Sequence, residues 1–228
     1  MEAAAIVRDH AKDGATVVCR GSGTKQDWGS PCSREHVWID TRSLTGVVEH
    51  AAGDLVVVVR AGTLMAELQE VLAKAGQQLA IDPGFADATV GGTVAANVSG
   101  PRRMAYGTLR DLLIGITVVR PDGVIARSGG KVVKNVAGYD LAKLFAGSYG
   151  TLGLITECAF RLHPIPMGTA SVSAAFADAQ EAEPAIAAVL RSQLAPTELE
   201  VAAAPGEPVT VMARFDGHAA ELRAAGAG

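Results

Sequence analysis

"TVGGTVAANVSGPRRMAYG", residues 89–107, holds four glycines and a run of small residues, and almost nothing that could fill a core. Gly91, Gly92 and Thr93 stand where a short helix over 93–97 should begin. A helix start carries unpaired N–H groups and the positive end of the helix dipole, and both suit a phosphate. Glycine also lets the backbone approach a ligand without a Cβ in the way. Ala95, Ala96 and Ser99 keep the wall thin. Close helix–strand packing selects the same small residues, so this segment taken alone leaves both readings open.

Two other glycine segments lie far away in the chain. "RGSGTK" (20–25) follows the β-branched stretch "TVVCR" (16–20). A dinucleotide fingerprint would need a third glycine and an immediate helix. Here Gln26 and "DWGSP" follow instead, and no Walker pattern is present. What remains is a surface turn, or a loop whose successive N–H groups form an anion nest, with Ser22, Thr24 and Lys25 adding donors. In "GSYGTLGLITE" (147–157), Gly150 and Gly153 flank a turn into a long strand. Its backbone could lie flat against a ring system. Three such segments, each at a strand end, are most economically explained by one extended pyrophosphate ligand.

The intervening chain reads as mixed helix and strand. Residues 3–12 form a helix closed by Gly14, and "HVWID" (36–40) forms a strand. "LVVVVRAG" (55–62) is apolar enough to be buried on both faces. Thr63 should cap a helix over 64–75, where Leu64, Leu68, Val71, Leu72 and Ala75 make one apolar stripe. Pro121-Asp122-Gly123 splits 112–130 into a hairpin. A short helix within 139–150 and a long strand over 151–166 follow. Beyond Pro164–Gly168 the composition shifts to strand, helix, strand, with Asp178 and Glu181 at capping-box spacing, and then a strand over 208–217 and the start of a helix. A domain boundary is expected there.

The totals exclude several classes. The 228 residues are 49% hydrophobic with a net charge of −4, which supports a sizeable core and no nucleic-acid surface. Cys19, Cys32 and Cys158 are odd in number and widely spaced, and the five histidines are scattered. No disulfide framework or metal site is therefore expected. The N-terminus is too charged for a signal peptide, and no apolar run reaches the roughly 18–20 residues of a membrane span. The expected location is cytoplasmic, or peripheral to the inner membrane through partners.

"RGSGTKQDWG", "DPGFADATVGGTVAANVSGPRRMAYGTLRDLLIGITVVRPDG", "GGKVVKNVAGYDLAKLFAGSYGTLGLITE" and "RLHPIP" together resemble the FAD-linked oxidases of the vanillyl-alcohol oxidase type, with a PCMH-type FAD-binding domain. Within that family the likeness is greatest to the FAD-binding subunits of bacterial glycolate oxidases. The resemblance implies an α+β fold of two subdomains over 1–167, joined near 80–90, with FAD between them. A truncated α/β cap domain over 168–228 would follow, since the family's cap is much longer. The chain therefore looks shortened at both ends.

The resemblance also assigns the cofactor wall. Arg20, Gly21, Ser22, Gly23, Thr24 and Lys25 correspond to the first pyrophosphate loop. Pro83 and Gly84, then Thr89, Val90, Gly91, Gly92, Ala95, Ala96, Asn97 and Gly100, run past the pyrophosphate and flavin. Tyr106 and Gly107 continue the wall, while Gly150, Gly153 and Ile155 present backbone atoms. Some members bond a histidine of the first loop to the flavin. "GSGTKQ" has none, so noncovalent FAD is implied.

Flavin accepts a hydride at N5, and the protein supplies position and electrostatics. A small 2-hydroxy acid such as glycolate or D-lactate would need a cation for its carboxylate, a base for its hydroxyl proton and a dry pocket. Lys131, Lys134, Arg102 and Arg103 are the candidate cations, with Lys134 and Tyr139 the first choices for lining the site. Solvated loop lysines are the competing reading. Asp140 should cap the helix after it, and His163 should be structural. Trp28 and Trp38 should be core or subunit-contact residues. No catalytic side chain is assigned. Two functions follow: a flavoenzyme subunit passing electrons to a second flavoprotein and an iron–sulfur subunit, or a non-catalytic FAD-binding or relay subunit of such an oxidase.

Overall fold

The computed structural model describes residues 2–30, 36–130 and 140–217. Its largest sheet is antiparallel and five-stranded, in the order β3-β4-β8-β6-β7. The strands are β3 (Val47–Ala51), β4 (Val56–Arg60), β6 (Leu113–Val119), β7 (Ile125–Gly129) and β8 (Leu154–Arg161). The valine run of β4 takes a central place because Val56, Val57 and Val59 are all buried. The β6–β7 hairpin turns at Pro121-Asp122-Gly123, where the Gly123 N–H donates to the Arg120 carbonyl at 2.9 Å.

One face of this sheet carries the main core. Helix α2 (Met65–Ala73) turns Met65, Leu68 and Leu72 into it, where they meet Phe160 of β8. Each such side chain contributes about 1.5–3 kcal/mol by leaving water. The helix starts at Met65 with Leu64 as its N-cap residue, not with Thr63. The Thr63 hydroxyl instead accepts the Gly46 N–H at 2.9 Å, a tie between two loops that outcompetes the local cap. Helices α3 (Val90–Ala96), α4 (Arg103–Tyr106), α5 (Leu109–Leu112) and α6 (Ala142–Phe145) are short. Asp140 does not cap α6: Leu141 holds that position with no side-chain cap, and the Asp140 carboxylate lies 3.8 Å from Lys143 Nζ.

A smaller layer stands beside the sheet. Helix α1 (Glu2–Lys12) lies near the parallel pair β1 (Thr16–Arg20) and β2 (His36–Asp40). Ala4, Val7 and Ile39 pack on Val119 and Leu154, the ends of β6 and β8. The groove between the two layers therefore opens at strand ends. Trp38 of β2 and Trp28 are not core residues: both are exposed on the described surface. Trp38 lies under the Arg20 guanidinium, 5.6 Å from its ring centre, and Trp28 meets Phe85 edge-on at 6.1 Å.

The third part is an antiparallel sheet of β10 (Gly168–Phe176), β12 (Val209–Gly217) and β11 (Glu198–Ala202), covered by α7 (Ala179–Arg191). Asp178 caps α7 by accepting the Glu181 N–H at 3.0 Å, as its spacing implies. Ala182, Val209 and Val211 form a small apolar cluster of their own. A two-residue ladder of β5 (Gln77–Gln78) and β9 (His163–Pro164) precedes this sheet. No helix among the described residues is long and apolar enough to cross a membrane.

Candidate functional site

Helix α3 begins at Val90, three residues before the expected start, because Thr89 is its cap. The Thr89 hydroxyl accepts the Gly92 N–H at 3.3 Å, and Thr89 lies in extended backbone. The neighbouring donors are also taken. The Val90 N–H goes to the Thr63 carbonyl at 2.9 Å, and the Gly91 N–H to the Ala61 carbonyl at 2.7 Å. This overturns the expected phosphate site at the helix start, since the N–H groups that a helix end usually leaves open are already bonded. Thr89→Ala should cost about 1 kcal/mol of stability through the lost cap, read as a fall in thermal midpoint.

The open donors are in the first loop. Among the described residues, the backbone N–H groups of Gly21, Ser22, Gly23, Thr24 and Lys25 have no hydrogen-bond acceptor. The Lys25 ammonium sits 3.2 Å from Thr24 Oγ1 and 5.0 Å above the Phe85 ring, and burial lowers its pKa. A row of free main-chain donors beside a cation is a nest for an anion.

This loop, α3 and the entry to β8 meet in one cleft. Its wall holds Arg20 and Gly21, then Gly91, Gly92 and Ala95, then Gly150, Gly153 and Ile155. Cys19, Thr41, Ala61, Tyr149 and Leu154 complete it, and no sequence pattern singled these out. The cleft has a volume of about 60 Å³ and no carboxylate in its lining. It shares Thr41 and Leu154 with a pocket of about 440 Å³ between α1, the end of β2 and strands β6 to β8. Together they reach the size of a cofactor site.

The glycines divide into two kinds. A Cβ on Gly21 would run into the Thr89 side chain, and one on Gly91 would come within 2.8 Å of Ala61 Cβ. A Cβ on Gly100 would strike Asp82, and one on Gly107 would sit 3.1 Å from Asp111 Cβ. Gly21 and Gly91 are small because protein packs on them, while Gly100 and Gly107 also hold left-handed backbone, with φ 71° and 84°. Gly92 differs: its Cβ direction meets only Thr89 Oγ1, at 3.1 Å. Nearby, Asn97 Oδ1 and Ser148 Oγ are buried without a partner among the described residues. Asn97 ends α3 in the left-handed region, with φ 51°, and the Gly147 N–H bonds the Val94 carbonyl of the same helix at 3.1 Å. Buried polar atoms left open are a reason to look for a ligand there. Free donors, an open glycine and orphaned acceptors fit a bound dinucleotide.

The remaining sequence candidates lie elsewhere. Val90 is buried in the main core and does not line the cleft. Pro83 and Gly84 lead into Phe85, which contacts the first loop through Trp28 and Lys25. Ala96 closes α3 beside Asn97. Tyr106 and Gly107 are outside the cleft lining; the Tyr106 ring meets His163 edge-on at 4.8 Å. The His163 Nε2 is buried without a partner among the described residues, and burial pushes its pKa down. Arg102 is not free to hold a substrate. Its guanidinium donates to Asp82 Oδ1 at 2.9 Å, Gln78 Oε1 at 2.7 Å and the Ile81 carbonyl at 2.7 Å. Arg103 Nε donates to the Gly100 carbonyl at 3.0 Å. Lys131, Lys134 and Tyr139 lie outside the described residues. Among the described residues no group of three or more His, Cys, Asp or Glu could hold a metal ion.

Cys19 and Cys158 are free thiols, and burial pushes the Cys19 pKa up to about 11 and that of Cys158 higher still. The thiolate is the reactive form. In a Cys32→Ser background at pH 8, both thiols should react with a disulfide reagent at least ~10-fold more slowly than free cysteine. Labelling of either at the free rate would contradict this burial.

Residues 1–129 match the family described as FAD binding domain. Glycolate oxidase subunit GlcE of Escherichia coli (strain K12) is 37% identical over 168 residues, covering 73% of this chain and 47% of that protein. A D-lactate dehydrogenase of Archaeoglobus fulgidus is 33% identical over 199 residues, covering 87% of this chain and 44% of its own length. The chain spans about half the length of these curated relatives. Among solved structures, an alkyldihydroxyacetonephosphate synthase superposes with a TM-score of 0.79 at 21% identity, over 97% of this chain and 48% of that one. That likeness shows the two-layer α+β fold. With the cleft, the free loop donors and the family match in agreement, the chain belongs to the FAD-binding domain family.

Proposed function

We propose that this chain is the FAD-binding part of a flavin-dependent oxidoreductase that oxidises a small 2-hydroxy acid of the glycolate or D-lactate kind, with FAD held noncovalently and electrons passed to a partner subunit. The supporting observation is the row of N–H groups over Gly21–Lys25 that have no acceptor among the described residues, on a loop whose Arg20 and Gly21 line the cleft with Gly92 and the Gly150–Ile155 turn. The same loop has no histidine that could form a covalent bond. The relatives named for glycolate and D-lactate supply the substrate class.

Bound FAD would supply the hydride acceptor, and the protein's task is placement. Gly21 to Lys25 would hold the pyrophosphate by main-chain hydrogen bonds, with Arg20 and Lys25 balancing its charge. Gly92 would leave room for the cofactor, and Asn97 and Ser148 would gain the partners they lack. Residues 1–167 would form this unit, and 168–228 the beginning of a cap over the substrate. Lys134 and Tyr139 remain the proposed lining for the acid's carboxylate and hydroxyl. Arg102 and Arg103 are committed to carboxylate and backbone acceptors.

A second reading keeps FAD but assigns the chain to assembly or electron relay. It is favoured by the engagement of Arg102 and Arg103, which removes two of the candidate cations for the acid's carboxylate. Anaerobic addition of glycolate or D-lactate to the purified flavoprotein separates the two. Bleaching of the flavin bands supports oxidation. Bands that persist with both acids, in the presence of partner subunits, would refute it in favour of the relay.

A further inference from the structure

The three-stranded sheet's apolar cluster is separate from the main core, and charged side chains link the two parts. Glu198 of β11 lies between two guanidinium groups. Arg214 Nη1 is 3.0 Å from Glu198 Oε1, and Arg102 Nε is 4.0 Å from the same oxygen. The side chains of Arg102 and Glu198 are only 13% and 9% exposed. Arg102 stands just before α4, which follows directly on the glycine wall, and it is also held at 2.9 Å by Asp82. At the other end of α4, the Tyr106 hydroxyl donates to Asp216 Oδ2 at 3.1 Å. Asp216 in turn accepts from Arg214 at 3.1 Å.

We propose that Arg102–Glu198 and Tyr106–Asp216 form a two-point clamp that sets the position of the three-stranded sheet against the α4 segment. Both points lie on one short helix segment, so together they fix orientation as well as distance. A single ion pair would leave the sheet free to pivot. The charge balance argues for a clamp over a ligand site. Asp82, Glu198 and Asp216 outnumber Arg102 and Arg214, so an anionic substrate would be repelled. The guanidinium donors are also already engaged, those of Arg102 by Asp82, Gln78 and Ile81 and those of Arg214 by Asp216 and Glu198. A mostly buried pair of this kind adds little net stability compared with apolar packing, but losing one partner strands a charge. Its value therefore lies in geometry. The proposal concerns this junction only and does not depend on which acid is oxidised.

Hydrogen–deuterium exchange on the full chain tests it. In Glu198→Ala, amides of β10 to β12 should exchange at least ~10-fold faster, while those of β4 and β8 keep the parental rate, because opening is local. Tyr106→Phe removes one hydroxyl at a partly exposed site. It should accelerate the same amides by about 3-fold and leave β4 and β8 unchanged. Unaltered exchange in β10 to β12 in both variants would overturn the clamp. Equal acceleration of both sheets in Tyr106→Phe would also overturn it, since the contact would then be part of general stability.

Discussion

Gly92→Val is expected to purify folded but colourless, with FAD affinity reduced by at least ~100-fold, equivalent to about 2.7 kcal/mol. The reason is the direction of the missing Cβ. At Gly92 that direction meets only the Thr89 hydroxyl, at 3.1 Å, and otherwise faces the cleft. A branched side chain would occupy the space in which a cofactor must lie. The protein should tolerate it, since valine replaces glycine in a helix, where glycine is the poorer former. Flavin absorbance after gel filtration and the thermal midpoint of the flavin-free protein are the two readouts. A variant as yellow as the parent would place the cofactor elsewhere. A variant that loses the fold would move Gly92 into the packing class with Gly91.

Gly21→Ala should lose FAD for the other reason. Its Cβ would overlap Thr89, the cap of α3, so either the loop or the helix start must shift. Overpacking of this kind costs about 1–3 kcal/mol. The displaced loop would also spoil the row of N–H donors, so stability and cofactor should fall together. Adding Thr89→Ala removes the overlapping hydroxyl and methyl. The double variant should be less destabilised than the sum of the two single ones, because the residues touch. Strict additivity in thermal unfolding would show that the two residues do not meet.

The pair of variants also shows why the glycine stretch was only half legible. Four glycines in residues 89–107 suggested one cause, a ligand close to the backbone. Three of them answer to protein neighbours: Ala61 at Gly91, Asp82 at Gly100 and Asp111 at Gly107. The helix start was misplaced for a related reason. Local pattern suggested 93, but Thr89 caps from 89, and loop carbonyls of Ala61 and Thr63 take the open donors. Arg102 shows the same limit. An arginine pair near a glycine wall reads as a substrate clamp until Asp82, Gln78 and Glu198 are brought around it from other parts of the chain.

Features that depend on neighbours a few residues apart were readable directly. The valine run of β4, the Pro121-Asp122-Gly123 hairpin, the α7 cap at Asp178 and the family motifs all belong here, because turn chemistry, capping and burial periodicity act over one or two turns of chain. Which donors stay free and which arginine is already bonded depend largely on distant residues: Gly91 meets Ala61, and Arg102 meets Asp82 and Glu198. Only folding brings those groups within hydrogen-bonding range. The same residue types would read identically in the sequence had they been paired the other way.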